Sequence, residues 1–409
     1  HTVQARARTI IKMQTNKIYL DNAATSFPKP RPVIDALVEY LEHAGNPGRG
    51  AHAASLYGAR KIMEARQEIG SFLGVETEER LIFTPGCTAS LNEVIKSVLS
   101  DAAGGDCVLT SGMEHNAVTR PIEQMVVARG IEHIALNPDK NGLLDLSELK
   151  NVLAQRHKKI RLCAIVAASN VTGRVLPFEA AASLCKEHDV PCLVDGAQVA
   201  GKLPINLSRT DISFFCASGH KGLPGPPGVG LLYVAPDFDL QPLIAGGTGS
   251  GSESYGIPAS YPDRLEAGTM PGHDIHALAR AVRWLQEKGC EALLKQELAL
   301  SVDFLNWAGE RDEIEIVGIV PGEKVTADSP LRMPLVSFSV KGIAPQALAD
   351  QLDIQYSIAV RAGLHCAAQA HKSLGTIDKG LCRVSFGPHN SAADLEALKV
   401  ALKSIIESV

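Results

Sequence analysis

Between about residues 55 and 235, amphipathic stretches alternate with short apolar runs, and this alternation constrains the chain more than any other feature. The runs are Leu81–Thr84, Cys107–Thr110, Ile131–Leu136, Arg161–Ala168, Pro191–Val194, Ile212–Ala217 and Gly228–Val234. They are short and apolar on both faces, which is how a parallel strand buried between layers of helices reads. Helical candidates at 88–100, 116–129, 145–155 and 177–188 separate them. The expected product is an α/β fold whose large domain has a mostly parallel seven-stranded sheet sandwiched by helices.

Beyond residue 240 the pattern changes. Residues 241–273 are rich in Gly and Ser and too irregular for a regular element. Helices are expected at 275–288 and 291–308. From 334 onward, short strands (Pro334–Val340, Ile358–Arg361, Leu381–Phe386) mix with helices at 345–352 and 392–408. The expected organisation is a segment 1–17 that is flexible or foreign to the natural chain, with Met13 a candidate natural start. A large domain at 18–270 and a smaller α+β C-terminal domain at 271–409 follow it.

Composition closes off other readings. Among 409 residues, 40 Lys and Arg face 45 Asp and Glu, and a net charge of −5 offers no attraction to phosphate backbones or anionic lipid. No nucleic-acid or membrane partner is expected. The longest apolar run, 162–168, falls far short of the ~20 residues that span a bilayer. The first 17 residues lack the apolar core of a secretory signal. A soluble, cytoplasmic protein is expected. The nine cysteines contain no C-x-x-C pair, so neither a metal site nor a disulfide framework is expected. Cys163 and Cys192 sit inside strand runs and read as small hydrophobes of the core.

Two segments carry chemistry. In Val194-Asp195-Gly196-Ala197-Gln198, Asp195 ends a buried strand, at the edge where open sheets bind ligands. A carboxylate there needs a cationic partner. One strand later comes Ser218-Gly219-His220-Lys221-Gly222. A desolvated lysine presents a neutral amine suited to an imine with an aldehyde, and a buried aspartate suits a protonated pyridine nitrogen. Together they describe a pyridoxal phosphate site.

A phosphate needs donors, and Thr84-Pro85-Gly86-Cys87-Thr88 leads from a strand into a helix, bringing backbone amides and a hydroxyl to the helix N-terminus. An ordinary Thr-capped helix is the competing reading. Ser218, His220 and Gln198 are candidate further hydrogen-bonding groups. His115 ends the second strand at the same edge, where an imidazole can lie on a cofactor ring. Asn170 ends a fourth strand, placed to donate to a phenolic oxygen.

Three further segments complete a pattern: Ile18-Tyr19-Leu20-Asp21-Asn22-Ala23-Ala24-Thr25, Asn46-Pro47-Gly48-Arg49-Gly50-Ala51-His52 and Val360-Arg361-Ala362-Gly363-Leu364-His365-Cys366-Ala367. With them, roughly residues 18 to 405 resemble the cysteine desulfurases of the class V aminotransferase family, fold-type I pyridoxal phosphate enzymes. The resemblance implies a cofactor held by Cys87, Thr88, His115, Asn170, Asp195, Gln198, Ser218, His220 and Lys221. It adds Gly268 and Thr269, which reach the phosphate of the neighbouring subunit in a homodimer. Lys221, Cys366 and His115 would be catalytic, with Ala24, Asn170, Arg361 and Arg383 contacting substrate.

The implied reaction takes L-cysteine to L-alanine and leaves a persulfide on Cys366 for a sulfur-acceptor protein. Alternatives are a selenocysteine lyase acting on L-selenocysteine, another family enzyme (a C–S lyase or aminotransferase), or a non-catalytic sulfur-relay scaffold. Three positions depart from the family's pattern. Cys87 stands where relatives often have Thr or Ala, Gly48 where some have His, and Leu364 where many have a second His.

Overall fold

The computed structural model describes residues 17–48, 50–250, 253–320, 323, 325–327 and 332–408. The N-terminal segment before Lys17, with Met13, lies outside the described residues, and so does Arg49.

In chain order, β1 (Ile18–Tyr19) precedes two helices, α1 (Arg31–His43) and α2 (Ala53–Leu73). Then follow β2 (Leu81–Thr84), α3 (Cys87–Val98), β3 (Cys107–Ser111), α4 (Asn116–Arg129), β4 (Glu132–Leu136), α5 (Leu146–Arg156), β5 (Ile160–Val166), α6 (Phe178–Glu187), β6 (Cys192–Asp195), β7 (Phe214–Ser218) and β8 (Gly230–Val234). After a long irregular segment come α7 (Gly272–Lys288), α8 (Cys290–Gly309), β9 (Ile314–Ile316), β10 (Leu335–Val340), α9 (Pro345–Tyr356), β11 (Ile358–Ala359), β12 (Arg361–Gly363), α10 (Ala368–Ser373), β13 (Leu381–Ser385) and α11 (Ala392–Glu407).

The seven expected strands form one sheet in the order β2-β8-β7-β6-β5-β3-β4. Five of them, β4, β3, β5, β6 and β7, run parallel, and β8 is antiparallel to both its neighbours. Side chains alternate between the faces, as the two-residue period of a strand requires. On β3, Val108 packs with Leu162, Phe214 and the α3–α4 layer, while Leu109 faces the opposite core with α2, α5, α6 and α7. Cys163 and Cys192 are fully buried in that second core. Because β5 lies beside β3, with β4 on the other flank, the winding direction reverses between them, and open α/β sheets bind ligands in the crevice at such a reversal.

Sequence reasoning missed helices α1 and α2, although α1 has a helical period: Val33, Ile34, Ala36, Leu37, Val38, Tyr40 and Leu41 fall on one side and Arg31, Asp35, Glu39 and Glu42 on the other. Of that apolar side Val33 and Ala36 are buried, while Ile34, Val38 and Leu41 are exposed. Local chemistry still marks α2. His52 caps its start, with Nδ1 accepting from the Ser55 amide at 3.3 Å, and Gly74 ends it at φ 65.

A separate core gathers Leu20, Phe304, Phe338, Ile358, Val384 and Leu398 around the sheet β12-β13-β10-β9. The N-terminal strand joins it, since β1 pairs in parallel with β11 (Ile18 opposite Ile358). Helix α7, although it follows residue 270, packs Ile275, Leu278 and Val282 into the large sheet's core. The single strand expected at 358–361 is two strands. β11 pairs with β1 and β12 with β13, and the chain changes partner at Val360. No described helix is long and apolar enough to cross a membrane.

Candidate active site

Strand ends converge on a cleft of ≈ 210 Å³ lined by Cys87, Thr88, His115, Asn170, Asp195, Gln198, Ser218, His220 and Lys221, together with Gly86, Ala168 and Val166. Nine of the cofactor residues expected from the sequence thus share one wall. Gly268 and Thr269 do not. They sit in the irregular segment before α7, where the Gly268 amide donates to Gly247 at 2.8 Å, away from this cleft.

Asp195 is 3% exposed at the C-terminus of β6. Its Oδ1 accepts from the Ala197 amide at 3.0 Å and from the Cys87 thiol at 3.6 Å, and among the described residues it joins no ion pair. A buried carboxylate with only neutral donors is costly, and the protonated ring nitrogen of pyridoxal phosphate would supply the cation it lacks. Burial pushes the Lys221 ammonium pKa down, with Asp195 and Cys87 pulling the other way, which favours a neutral amine at the cleft floor. The Cys87 thiol is pushed up by burial and by Asp195, so it stays protonated and acts as a donor.

The N-terminus of helix α3 is a donor-rich end of the cleft. Its first intrahelical bonds are those of Ala89 and Ser90 to the Gly86 carbonyl (3.0 and 3.2 Å), which leaves the Cys87 and Thr88 amides pointing outward ahead of them. Gly86 has φ 117, a conformation that side chains avoid. Strand β8 crowds the turn from behind: a Cβ on Gly230 would lie 2.4 Å from the Gly86 carbonyl carbon. The donor set, the lone carboxylate and the desolvated lysine all fit the cofactor.

His115 caps α4, its Nδ1 accepting from the Ala117 amide at 3.0 Å, and burial holds its pKa down to about 4. The ring is therefore neutral at pH 7. His220, also held to about 4 by burial, is clamped through its carbonyl. The Ser26 amide (2.9 Å), Thr25 Oγ1 (3.1 Å), Ser26 Oγ (3.2 Å) and Lys29 Nζ (3.2 Å) all donate to it. Gln198 Nε2 donates to the Ala23 carbonyl at 3.0 Å, tying the same N-terminal segment to the cleft. Ala24 lies in that segment, its amide donating to the Asp21 carbonyl at 3.1 Å, and is not part of the cleft lining.

Cys366 is exposed, on a loop between β12 and α10. His365 and Cys366 have φ of 50 and 56, two successive side-chain-bearing residues in the left-handed region. Two hydrogen bonds hold this conformation: the Cys366 carbonyl accepts from the Asn116 amide at 2.7 Å, and the His365 carbonyl from Asn170 Nδ2 at 2.8 Å. Asn170 lines the cleft and Asn116 follows the cleft residue His115, so one strap ends on a cleft residue and the other beside one. Sequence reasoning missed the Asn116 strap; its only signal was adjacency to His115.

Arg383 is 2% exposed on β13. Its Nη1 donates to the Asn170 carbonyl at 2.9 Å and its Nη2 to Asp21 Oδ1 at 2.8 Å. Arg361 stands directly across the strand pair from it, with Nη1 3.9 Å from Asp21 Oδ2.

The sequence model for aminotransferase class-V matches residues 18–398. A probable cysteine desulfurase of Pyrococcus abyssi is 31% identical over 98% of this chain and 97% of its own. A cysteine desulfurase of Haloferax volcanii is 32% identical over 96% of this chain and 90% of its own. Among solved structures, the apo cysteine desulfurase of Thermococcus onnurineus NA1 superposes with a TM-score of 0.88 at 29% identity, covering 97% of this chain and 96% of that one. The chain belongs to the class-V aminotransferase family, in its cysteine desulfurase group.

Proposed function

We propose that this protein is a pyridoxal phosphate-dependent cysteine desulfurase, converting L-cysteine to L-alanine and carrying the sulfur as a persulfide on Cys366. The observation that carries this reading is the strapping of an exposed Cys366 to Asn116 and Asn170, residues at the rim of a cleft that holds Lys221 and Asp195. The cofactor, when bound, supplies an electron-withdrawing ring that makes an amino acid's α-carbon acidic. Asp195 would keep the ring nitrogen's positive charge, and the amides of Cys87 and Thr88 would hold the phosphate. Lys221 Nζ, its ammonium form disfavoured by burial, would take the proton from the α-carbon. His115, neutral at pH 7, would face the ring and could move a proton there.

The Cys366 thiolate then attacks the substrate sulfur. An S–S bond forms, the substrate C–S bond breaks, and its electron pair stays with the three-carbon fragment, which takes up protons to become L-alanine. Arg383 and Arg361 bind the substrate carboxylate, beside Asn170 and Ala24. The same reading makes the enzyme a homodimer: Gly268 and Thr269, remote from their own cleft, complete that of a second copy, and the exposed Ile34, Val38 and Leu41 of α1 call for cover. Exposure of Cys366 suits delivery to an acceptor protein.

The test is mass spectrometry of the holoenzyme after incubation with L-cysteine. A gain of about 32 Da on the Cys366 peptide, with L-alanine released, is the expected result. Pyruvate and ammonia without the mass gain would point to a C–S lyase instead.

A further inference from the structure

One fully buried acid has no role in the reading above. Glu114 precedes His115 in the turn between β3 and α4 and is 0% exposed. It sits where β3 and β5 part. Their backbone pairing ends at Thr110 opposite Ala164, while β5 runs on to Val166, level with Asp195 of β6 on its other flank. The Val166 amide therefore points into the gap that β3 has left, and a buried amide without an acceptor is costly. Glu114 Oε1 fills that place. It accepts from the Val166 amide at 2.7 Å and from Ser111 Oγ, which itself accepts from the Met113 amide at 3.2 Å. One carboxyl oxygen thus ties the end of β3, the turn and the end of β5 together, and both Val166 and His115 line the cleft.

The group does this without a charge. Burial pushes the Glu114 carboxyl up to about 8, Asp195 adds to the rise, and its donors Ser111 and Val166 oppose it. Oε2 is buried and has no hydrogen-bond partner among the described residues, a place where a full negative charge would be far more costly than a neutral acid. With Glu114 protonated at pH 7, the carboxylate of Asp195 would answer the single ring cation alone.

We propose that Glu114 positions His115 for the reaction: by bridging Val166 and Ser111 it fixes the width of the crevice between β5 and the β3–α4 turn, and so the seat of the imidazole against the cofactor ring. This rests on the reading that the cleft holds pyridoxal phosphate with His115 facing its ring. Glu114 meets neither substrate nor cofactor and acts through its neighbours. The role asks for an oxygen acceptor at that reach and for no charge.

The experiment compares Glu114→Gln and Glu114→Met in the holoenzyme, reading the visible circular dichroism of the bound cofactor beside kcat and KM for L-cysteine. Glu114→Gln is expected to keep the native dichroism and a kcat within about threefold, since the amide oxygen still accepts from Val166. Glu114→Met, close in volume but without an acceptor, should alter the dichroism and lower kcat by about ten- to a hundredfold. KM should stay within about twofold there, because Arg361 and Arg383 stand on β12 and β13, outside this crevice. In a His115→Ala background Glu114→Met should cost little more. The proposal is overturned if Gln does as badly as Met, if Met behaves as the native protein, or if the Met loss is undiminished without His115. Should Glu114→Met not fold, Glu114→Asp, whose carboxyl stops one methylene short of Val166, takes its place, and native dichroism and kcat in it overturn the proposal equally. His115→Ala alone tests the underlying reading. If it leaves both dichroism and kcat unchanged, the placing of His115 on the ring has failed, and that failure is separate from any result at Glu114.

Discussion

In the cleft, Asp195 and Ser218 end β6 and β7 and Asn170 follows β5 by four residues; these strands are almost wholly buried, and no side-chain-bearing cleft residue has a positive φ. Cys366 is held differently. It is exposed, lies on two successive left-handed residues, and is fixed by hydrogen bonds to its own and its neighbour's carbonyls. On the proposed reading, a cofactor that must not move would be gripped by strand ends, while a nucleophile that must meet first a substrate and then an acceptor would hang on a few reversible bonds, strain offset by straps.

The largest effects test whether the two regions are separable. Lys221→Ala is expected to abolish both the yellow colour of bound cofactor and L-alanine release, a loss of more than about a thousandfold. Cys366→Ser should reduce L-alanine release by about as much while cofactor uptake, read by absorbance, stays native. A loss of cofactor in that variant would show the loop to be part of the cleft's own stability. Asn170→Ala sharpens the comparison further. It removes the donor to the His365 carbonyl, so persulfide formation in a single turnover should slow by about ten- to a hundredfold through a misplaced nucleophile.

Acid stability separates the regions by pH window. Burial holds His115 and His220 to about 4 and His365, in the loop, to about 2. All three lie below the ordinary value of about 6.5, so their contribution to stability is complete above that pH and is lost as pH falls through the folded values. The unfolding free energy from urea titrations should fall below pH 6.5 by about 1.4 kcal/mol per histidine per pH unit. The two cleft histidines stop contributing near pH 4, and of the three only His365 continues lower. His365→Asn should therefore reduce the slope from pH 6.5 downward, with its effect persisting below pH 4 where the cleft pair no longer adds to it. The smallest effect concerns φ at residue 366. Cys366→Gly should be more stable than Cys366→Ala by about 1 kcal/mol in urea unfolding, because only Gly occupies the left-handed region without steric cost.

Most of the sheet and cleft was legible in the sequence because those residues are fixed locally. A buried strand announces itself by an apolar run, and Asp195, Ser218 and Thr88 sit at the boundaries of such runs, where the next residue must turn. The loop straps and Asp21 carry no local mark. Asp21 and Arg383 stand 362 residues apart, and the pattern around either looks the same whether or not they meet. Helix α1 is different: its helical period is plain, but nothing local says which part of its wide apolar side the rest of the chain covers.

The pairing of β1 with β11 also orders events during synthesis. The sheet that grips the cofactor is complete in sequence once β8 has been made, but the residues opposite Ile18 and Asp21 come last. At roughly 5–20 residues per second, the start of the chain waits on the order of a minute for its partners. A growing polypeptide can therefore assemble a place for the vitamin-derived coenzyme well before it has anywhere to seat an amino acid.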